Sequence, residues 1–202
     1  MRPFMDLLEK MGRLAAQLGE DGYDRLEIVY GGTVAEKDTK PVTISAVKGF
    51  LDSLGHSANF VNSLVKLREC GIALTESKTD STNGYSNIVT LTLSGPKGSV
   101  SVYGTVYGKN EGRIVQINEY RVYVPTEGYM IMAIHEDRPN IIGPCCVVLG
   151  EDSINIGGMH VGRKASGGEQ IMVLNVDHPV SEETLGRLTS VSGVIKAKMI
   201  KL

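Results

Sequence analysis

Between residues 135 and 146 the chain reads HEDRPNIIGPCC, which places one imidazole, two carboxylates, a guanidinium and two adjacent thiols ahead of or among apolar residues. Such a set suits either a metal or thiol site, or a strand-to-helix turn around a small ligand. The metal reading lacks local support, because Cys70, Cys145 and Cys146 show none of the CxxC or CxxH spacings that zinc or iron–sulfur ligation uses. Three thiols cannot all pair internally, and neighbouring cysteines are too constrained for an ordinary disulfide framework. A reducing compartment and a packing role in the helix follow for Cys145 and Cys146. His56, His160 and His178 stand alone in sequence, and their spacing supports no His-acid-Ser or His-Cys triad. We therefore assign no catalytic and no metal-binding residue. The Gly-dense segment GGMHVGRKASGG, 157 to 168, fails the dinucleotide fingerprint on glycine spacing and on having a strand where a helix should open. It fails the phosphate-loop pattern too, because Arg163 and Lys164 stand where Lys and Ser/Thr belong.

The elements that must position these groups belong to an ordinary globular chain: 202 residues, 42% apolar and 22% charged. Its formal charge of -2, from 21 basic and 23 acidic residues, offers no electrostatic reason for a nucleic acid or an anionic membrane as partner. No apolar run approaches the roughly 20 residues of a membrane span, and the amphipathic start MRPFMDLLEKMGR is unlike a signal sequence. The expected location is the cytoplasm. Helical spacing of Phe4, Leu7, Leu8, Met11, Leu14, Ala15 and Leu18 predicts a helix over 3–18, followed by a strand over 26–34 and a Pro-opened helix over 41–55. A third helix starts at Asn59 or Asn62 and ends at Gly71, with Val61, Leu64, Val65 and Leu67 on its apolar face. From 72 to 124 the period drops to two, which predicts an antiparallel sheet of five short strands. The domain boundary is expected within VPTEG, 124–128, giving domains 1–125 and 126–202.

The tail has another rhythm: strand YMIMAIHE, helix IIGPCCVVLGED, strands INIGGMHVGR and GEQIMVLNVD, helix SEETLGRLTSV and strand VIKAKMIKL. This βαββαβ order predicts a ferredoxin-like layer with two helices on one face of an antiparallel sheet. Ser181, with Glu183 and Thr184 behind it, marks the start of the second helix.

On the residues HEDRPNIIG, LGEDSINIGGMHVGR, GGEQIMVLNVD and VSGVIKAKMIKL the tail resembles an ACT domain, a regulatory module that binds amino acids. The stretch before it, with TISAVKGFLDSLG, NFVNSLVKLRECGI, VYGTVYG and RIVQINEYRVYVPTEG, resembles the allosteric substrate-binding domain of long-form D-3-phosphoglycerate dehydrogenases. The resemblance implies an α+β chain: an N-terminal antiparallel sheet with helices, then a ferredoxin-like ACT domain. It implies a regulatory portion, an expressed fragment or free-standing relative without the family's NAD-dependent catalytic part, and so no cofactor held in this chain. The expected partners are a small effector and further copies of the chain, in a dimer or tetramer.

By similarity, L-serine or a related amino acid would be held by His135 and Asp137, with Asn155 reaching it from a neighbouring chain. A carboxylate at 137 suits an α-ammonium, and backbone N–H groups at a helix start suit an α-carboxylate. Asp137 capping the following helix is the structural alternative. Asn140 stands where the family usually has glycine; asparagine tolerates the left-handed conformation, yet its side chain can fill the effector's space. Pro144 lies in the first helical turn, where proline is accepted. In the first domain, Arg113 matches a basic position of the family's anion site, Arg121 stands where the relatives can have histidine, and Lys109 lies nearby, a set suited to a phosphorylated hydroxy or keto acid. Pro125 replaces another basic position of some relatives. Two other functions compete: the β portion of an iron–sulfur L-serine dehydratase, whose Gly-Pro-Ser-Ser-Ser-His stretch and cluster cysteines are absent, and a free-standing ACT regulator acting in trans.

Overall fold

A computed structural model describes residues 1–19, 22–108, 110–164 and 167–202. The chain divides into two compact units, Met1–Asn118 and Glu119–Leu202. The first contains α1 (Arg2–Leu18), β1 (Arg25–Gly32), α2 (Lys40–Ser53), α3 (Ser63–Glu69), β2 (Ala73–Thr79), β3 (Asn87–Gly95), β4 (Gly98–Tyr107) and β5 (Glu111–Ile117). The second contains β6 (Tyr120–Pro125), β7 (Tyr129–Glu136), α4 (Ile142–Glu151), β8 (Ile156–Arg163), β9 (Glu169–Val176), α5 (Glu182–Thr189) and β10 (Val194–Lys201). The sequence reading counted β6 with the first domain. It groups with the second unit, where the β6 backbone comes so close to β8 that a Cβ on Gly162 would lie 2.4 Å from the Arg121 carbonyl oxygen.

The sheet of the first unit is mixed, with strand order β2-β1-β3-β4-β5. The pairs β1–β3, β3–β4 and β4–β5 are antiparallel as expected, but β2 runs parallel to β1, so the sheet is not wholly antiparallel. The physical reason is the connection: α2 and α3 lie between the two strands, and a helical crossover returns the chain in the same direction. The core of the first unit forms where Leu7, Leu8, Met11 and Leu14 of α1 and Val47, Phe50 and Leu51 of α2 bury themselves with Leu26 and Ile28 of β1 and Leu91 and Leu93 of β3. Each such side chain contributes about 1.5–3 kcal/mol by leaving water. Strand β1 alternates as a strand covered on one face must, with Leu26, Ile28 and Tyr30 inward.

Helix α3 departs from its predicted face. It has seven residues, about two turns, with Ser63 and Leu67 buried, while Val65 is 53% exposed and Val61, ahead of the helix, 91% exposed. So short an element buries one column, and apolar residues off that column stay in water.

The second unit is the expected βαββαβ layer, an antiparallel sheet in the order β10-β7-β9-β8. Ile131 and Ala133 of β7 and Met172, Leu174 and Val176 of β9 form its core with Cys145 and Leu149 of α4 and Leu185 and Leu188 of α5. Helix α5 starts where Ser181 accepts a hydrogen bond from the Thr184 N–H at 3.1 Å. Cys145 is buried in this core, the packing role expected of it, whereas Cys146 on the same helix is partly exposed and outside the core. No helix among the described residues is long and apolar enough to cross a membrane.

Candidate functional site

The end of β7, the turn into α4 and the β8–β9 connection meet at one edge of the second unit. The register sets His135 opposite Gln170 on β9, and Arg163 of β8 opposite the same Gln170. His135 continues the column of Ile131 and Ala133, so its ring faces the helices and is only 1% exposed. Its Nδ1 lies 2.8 Å from the Glu136 carbonyl oxygen, which can only accept, so Nδ1 carries the proton. In the neutral ring Nε2 is then an acceptor, and among the described residues this buried atom has no hydrogen-bond partner. An acceptor left unsatisfied in this way costs about 1–3 kcal/mol, and a ligand donor would remove that cost.

Asp137 does not cap α4. Its carboxylate accepts from the Arg163 guanidinium and the Gly167 N–H, each at 2.9 Å, and from the Gln170 amide. Its own N–H donates to the Gly168 carbonyl at 2.8 Å. The acid thus ties the β8–β9 connection to the turn, and the start of α4 has no side-chain cap. Pro144, in the first turn of α4, has no N–H to leave unpaired, and the first N–H groups of this helix remain a favourable place for an anion. Arg138, next in the turn, donates to Glu136 at 2.5 Å and to the Ser192 hydroxyl at 2.9 Å. Asn140 has φ 62°, so the turn takes the left-handed conformation that glycine supplies more readily. The side chain it carries there is exposed.

Asn155 is elsewhere in the unit. It sits just ahead of β8 and donates to Asp177 at 2.8 Å, at the end of the sheet where Ile156 pairs with Val176. The length of β8, about 3.3 Å per residue, separates it from Arg163 and the His135 end. One copy of the chain therefore does not bring Asn155 to His135 and Asp137.

Of the proposed anion-site residues, Arg113 lies on β5, where its guanidinium pairs with Glu111 and reaches the Gly112 carbonyl at 3.4 Å. Arg121 lies on β6, in the other unit. Lys109 lies outside the described residues. The segment from Gly157 to Arg163 forms β8, and no helix starts after it, so these glycines do not fit a nicotinamide dinucleotide. Among the described residues no cluster of His, Cys, Asp or Glu is arranged to hold a metal ion.

Sequence reasoning missed Gln170, Arg163 and Gly167, which complete the surroundings of Asp137. One signal was available. Gln170 heads the inward column Gln170, Met172, Leu174 and Val176, and a polar residue in an apolar column must find a partner.

A mixed sheet with two packed helices, followed by a ferredoxin-like βαββαβ layer, defines the class: a two-unit α+β chain. Its lineage follows from comparison with known proteins. Residues 1–118 match the family described as D-3-phosphoglycerate dehydrogenase intervening domain, and the chain belongs to that family. It is 35% identical over 204 residues to a D-3-phosphoglycerate dehydrogenase of Synechocystis, 34% over 205 residues to one of Archaeoglobus fulgidus, and 30% over 203 residues to one of Bacillus subtilis. In each case all of this chain is covered, but it spans only 37–39% of the relative's length.

Proposed function

We propose that this chain is the regulatory and assembly portion of a cytoplasmic D-3-phosphoglycerate dehydrogenase in L-serine biosynthesis, with its second unit acting as an ACT domain that binds L-serine or a closely related amino acid. The observation that carries this reading is the buried Nε2 of His135, an acceptor without a donor among the described residues, two residues along the chain from the carboxylate of Asp137 and just ahead of the uncapped start of α4. A zwitterion matches that pattern: its ammonium or hydroxyl supplies donors for His135 and Asp137, and its carboxylate takes the free N–H groups of the helix. The ammonium competes with Arg163 for Asp137, so binding releases the guanidinium.

The ligand lies between two copies, each adding Asn155 to the other's site, because a single chain holds Asn155 at the far end of β8. The surface for this pairing is edge strand β8, whose Met159 and Val161 are 45% and 41% exposed, with Val147 of α4 also exposed. Occupancy then biases the geometry of whatever the copies carry, which is regulation by assembly. In the first unit the Arg113 guanidinium serves a phosphorylated hydroxy or keto acid. NAD belongs to the catalytic part of such an enzyme.

Calorimetry of the purified chain against L-serine, glycine and 3-phosphohydroxypyruvate, with solution mass measured alongside, tests the reading. Serine binding that is lost in Asp137→Ala supports it. Absence of binding by all three ligands to a correctly folded chain overturns it.

A further inference from the structure

Strand β2 ends its sheet, and among the described residues its one ladder is with β1. The Ala73 N–H donates to the Asp24 carbonyl at 2.8 Å, so Ala73, Thr75, Ser77 and Thr79 turn their backbone groups toward β1. The alternation of the strand then turns the N–H and C=O groups of Leu74, Glu76 and Lys78 outward, where among the described residues they meet no backbone partner. The strand is seven residues long and exposed along most of its length. A strand edge of this kind is a template for another strand.

Its charges restrict which strand. Glu76 and Lys78 face the same side, opposite Ile28 and Tyr30 of β1. The Glu76 carboxylate accepts from the Thr43 hydroxyl, and among the described residues neither Glu76 nor Lys78 forms an ion pair. We propose that this edge pairs antiparallel with the β2 edge of a second copy of the chain, about a two-fold axis through Ser77. In that register Glu76 stands opposite the second copy's Lys78, and the reverse, so two ion pairs form on one face. Glu76 and Lys78 are also the residues with outward backbone groups, so each of these opposed pairs exchanges both ladder hydrogen bonds. Axes through Glu76 or Lys78 would put like charges opposite each other. The proposal is independent of the amino-acid site in the second unit.

The test uses the full chain in which Cys70→Ser and Cys146→Ser remove the two accessible thiols and Ser77→Cys places one on the axis. In the proposed register these two cysteines form a non-hydrogen-bonded pair with Cα atoms about 4.5 Å apart, within disulfide reach. Mild oxidation should yield a covalent dimer on a non-reducing gel. Adding Lys78→Glu should slow cross-linking about tenfold, as two repulsive pairs replace two attractive ones. The double reversal Glu76→Lys with Lys78→Glu should restore it. Hydrogen exchange of the wild-type chain gives an independent readout: the amides of Leu74, Glu76 and Lys78 should exchange slowly at high protein concentration and rapidly on dilution. Cross-linking at the same rate in all charge variants, no covalent dimer, or exchange independent of concentration overturns the proposal.

Discussion

Both units cover one face of a sheet with two helices, but they join those helices by opposite means. In the first unit α1 and α2 meet backbone to backbone: a Cβ on Gly12 would lie 2.1 Å from the Ala46 carbonyl oxygen, and one on Gly49 would lie 1.9 Å from that of Glu9. A rim of charge closes the contact, with Lys48 bridging Glu9 at 2.8 Å and Asp52 at 3.0 Å, and Arg13 reaching the same two acids. In the second unit α4 and α5 are linked through side chains, by Asp152, which accepts from the Thr184 hydroxyl at 2.7 Å and from Arg187. Backbone contact fixes one helix arrangement. A polar link leaves the helices to be set by the sheet beneath, while among the described residues each unit holds a buried side-chain atom without a hydrogen-bond partner, Ser63 Oγ in the first and His135 Nε2 in the second.

The comparison breaks most readily at the glycines. Gly49→Ala should destabilise the chain by about 3 kcal/mol, since a methyl group cannot enter a backbone contact without separating the helices. Urea unfolding measures the loss, and hydrogen exchange should place it in α1 and α2, with α4 and α5 unchanged. Next in size, Asp152→Ala should cost about 2 kcal/mol, the loss of hydrogen bonds between a carboxylate and two partners. Its effect should appear as faster exchange at the start of α5.

Lys48→Met should cost about 1 kcal/mol, because the charged rim is partly exposed. Its pH dependence sharpens the point. Burial raises the Glu9 and Asp52 carboxyls, but hydrogen bonds and charge from Lys48 and neighbouring groups outweigh it and hold both below the usual range. Burial likewise lowers Lys48, and its two acidic partners more than compensate and raise it. The contribution of the acids is present above their ordinary values, near pH 4, and disappears as pH falls through the depressed ones; that of Lys48 is present below its ordinary value and disappears as pH rises through the raised one. Denaturant unfolding at several pH values should show the acid limb flattened in Lys48→Met. The smallest effect is on reactivity. Cys70 and Cys146 should react with a thiol reagent in the folded protein, and Cys145, whose thiol burial pushes up to about 11, only on unfolding.

What the sequence revealed follows the range of the interactions. Helix α1 was legible because its apolar spacing and Pro3 are local signals, and the βαββαβ order was legible because each element carries its own period. Val61 and Val65 were misassigned to a buried face because nothing local shows how short α3 is. The parallel pairing of β1 with β2 depends on a crossover, which periodicity does not report. At the site, His135 and Asp137 could be named from one short motif. Their surroundings could not: Arg163 and Gln170 reach Asp137 from 26 and 33 residues away, and only the β8–β9 register brings them there. Asn140 was identified as a residue that tolerates the turn, and its φ of 62° shows that the turn makes that demand.

The central claim, that an amino acid binds at the His135 end of the second unit, is tested most directly by following the His135 imidazole nitrogens by NMR during titration with L-serine. The account predicts that Nε2 shifts saturably as it gains a donor, while Nδ1, held by the Glu136 carbonyl, shifts little, and that Asp137→Ala weakens the response. An Nε2 resonance unchanged at saturating L-serine, glycine and related amino acids would contradict it.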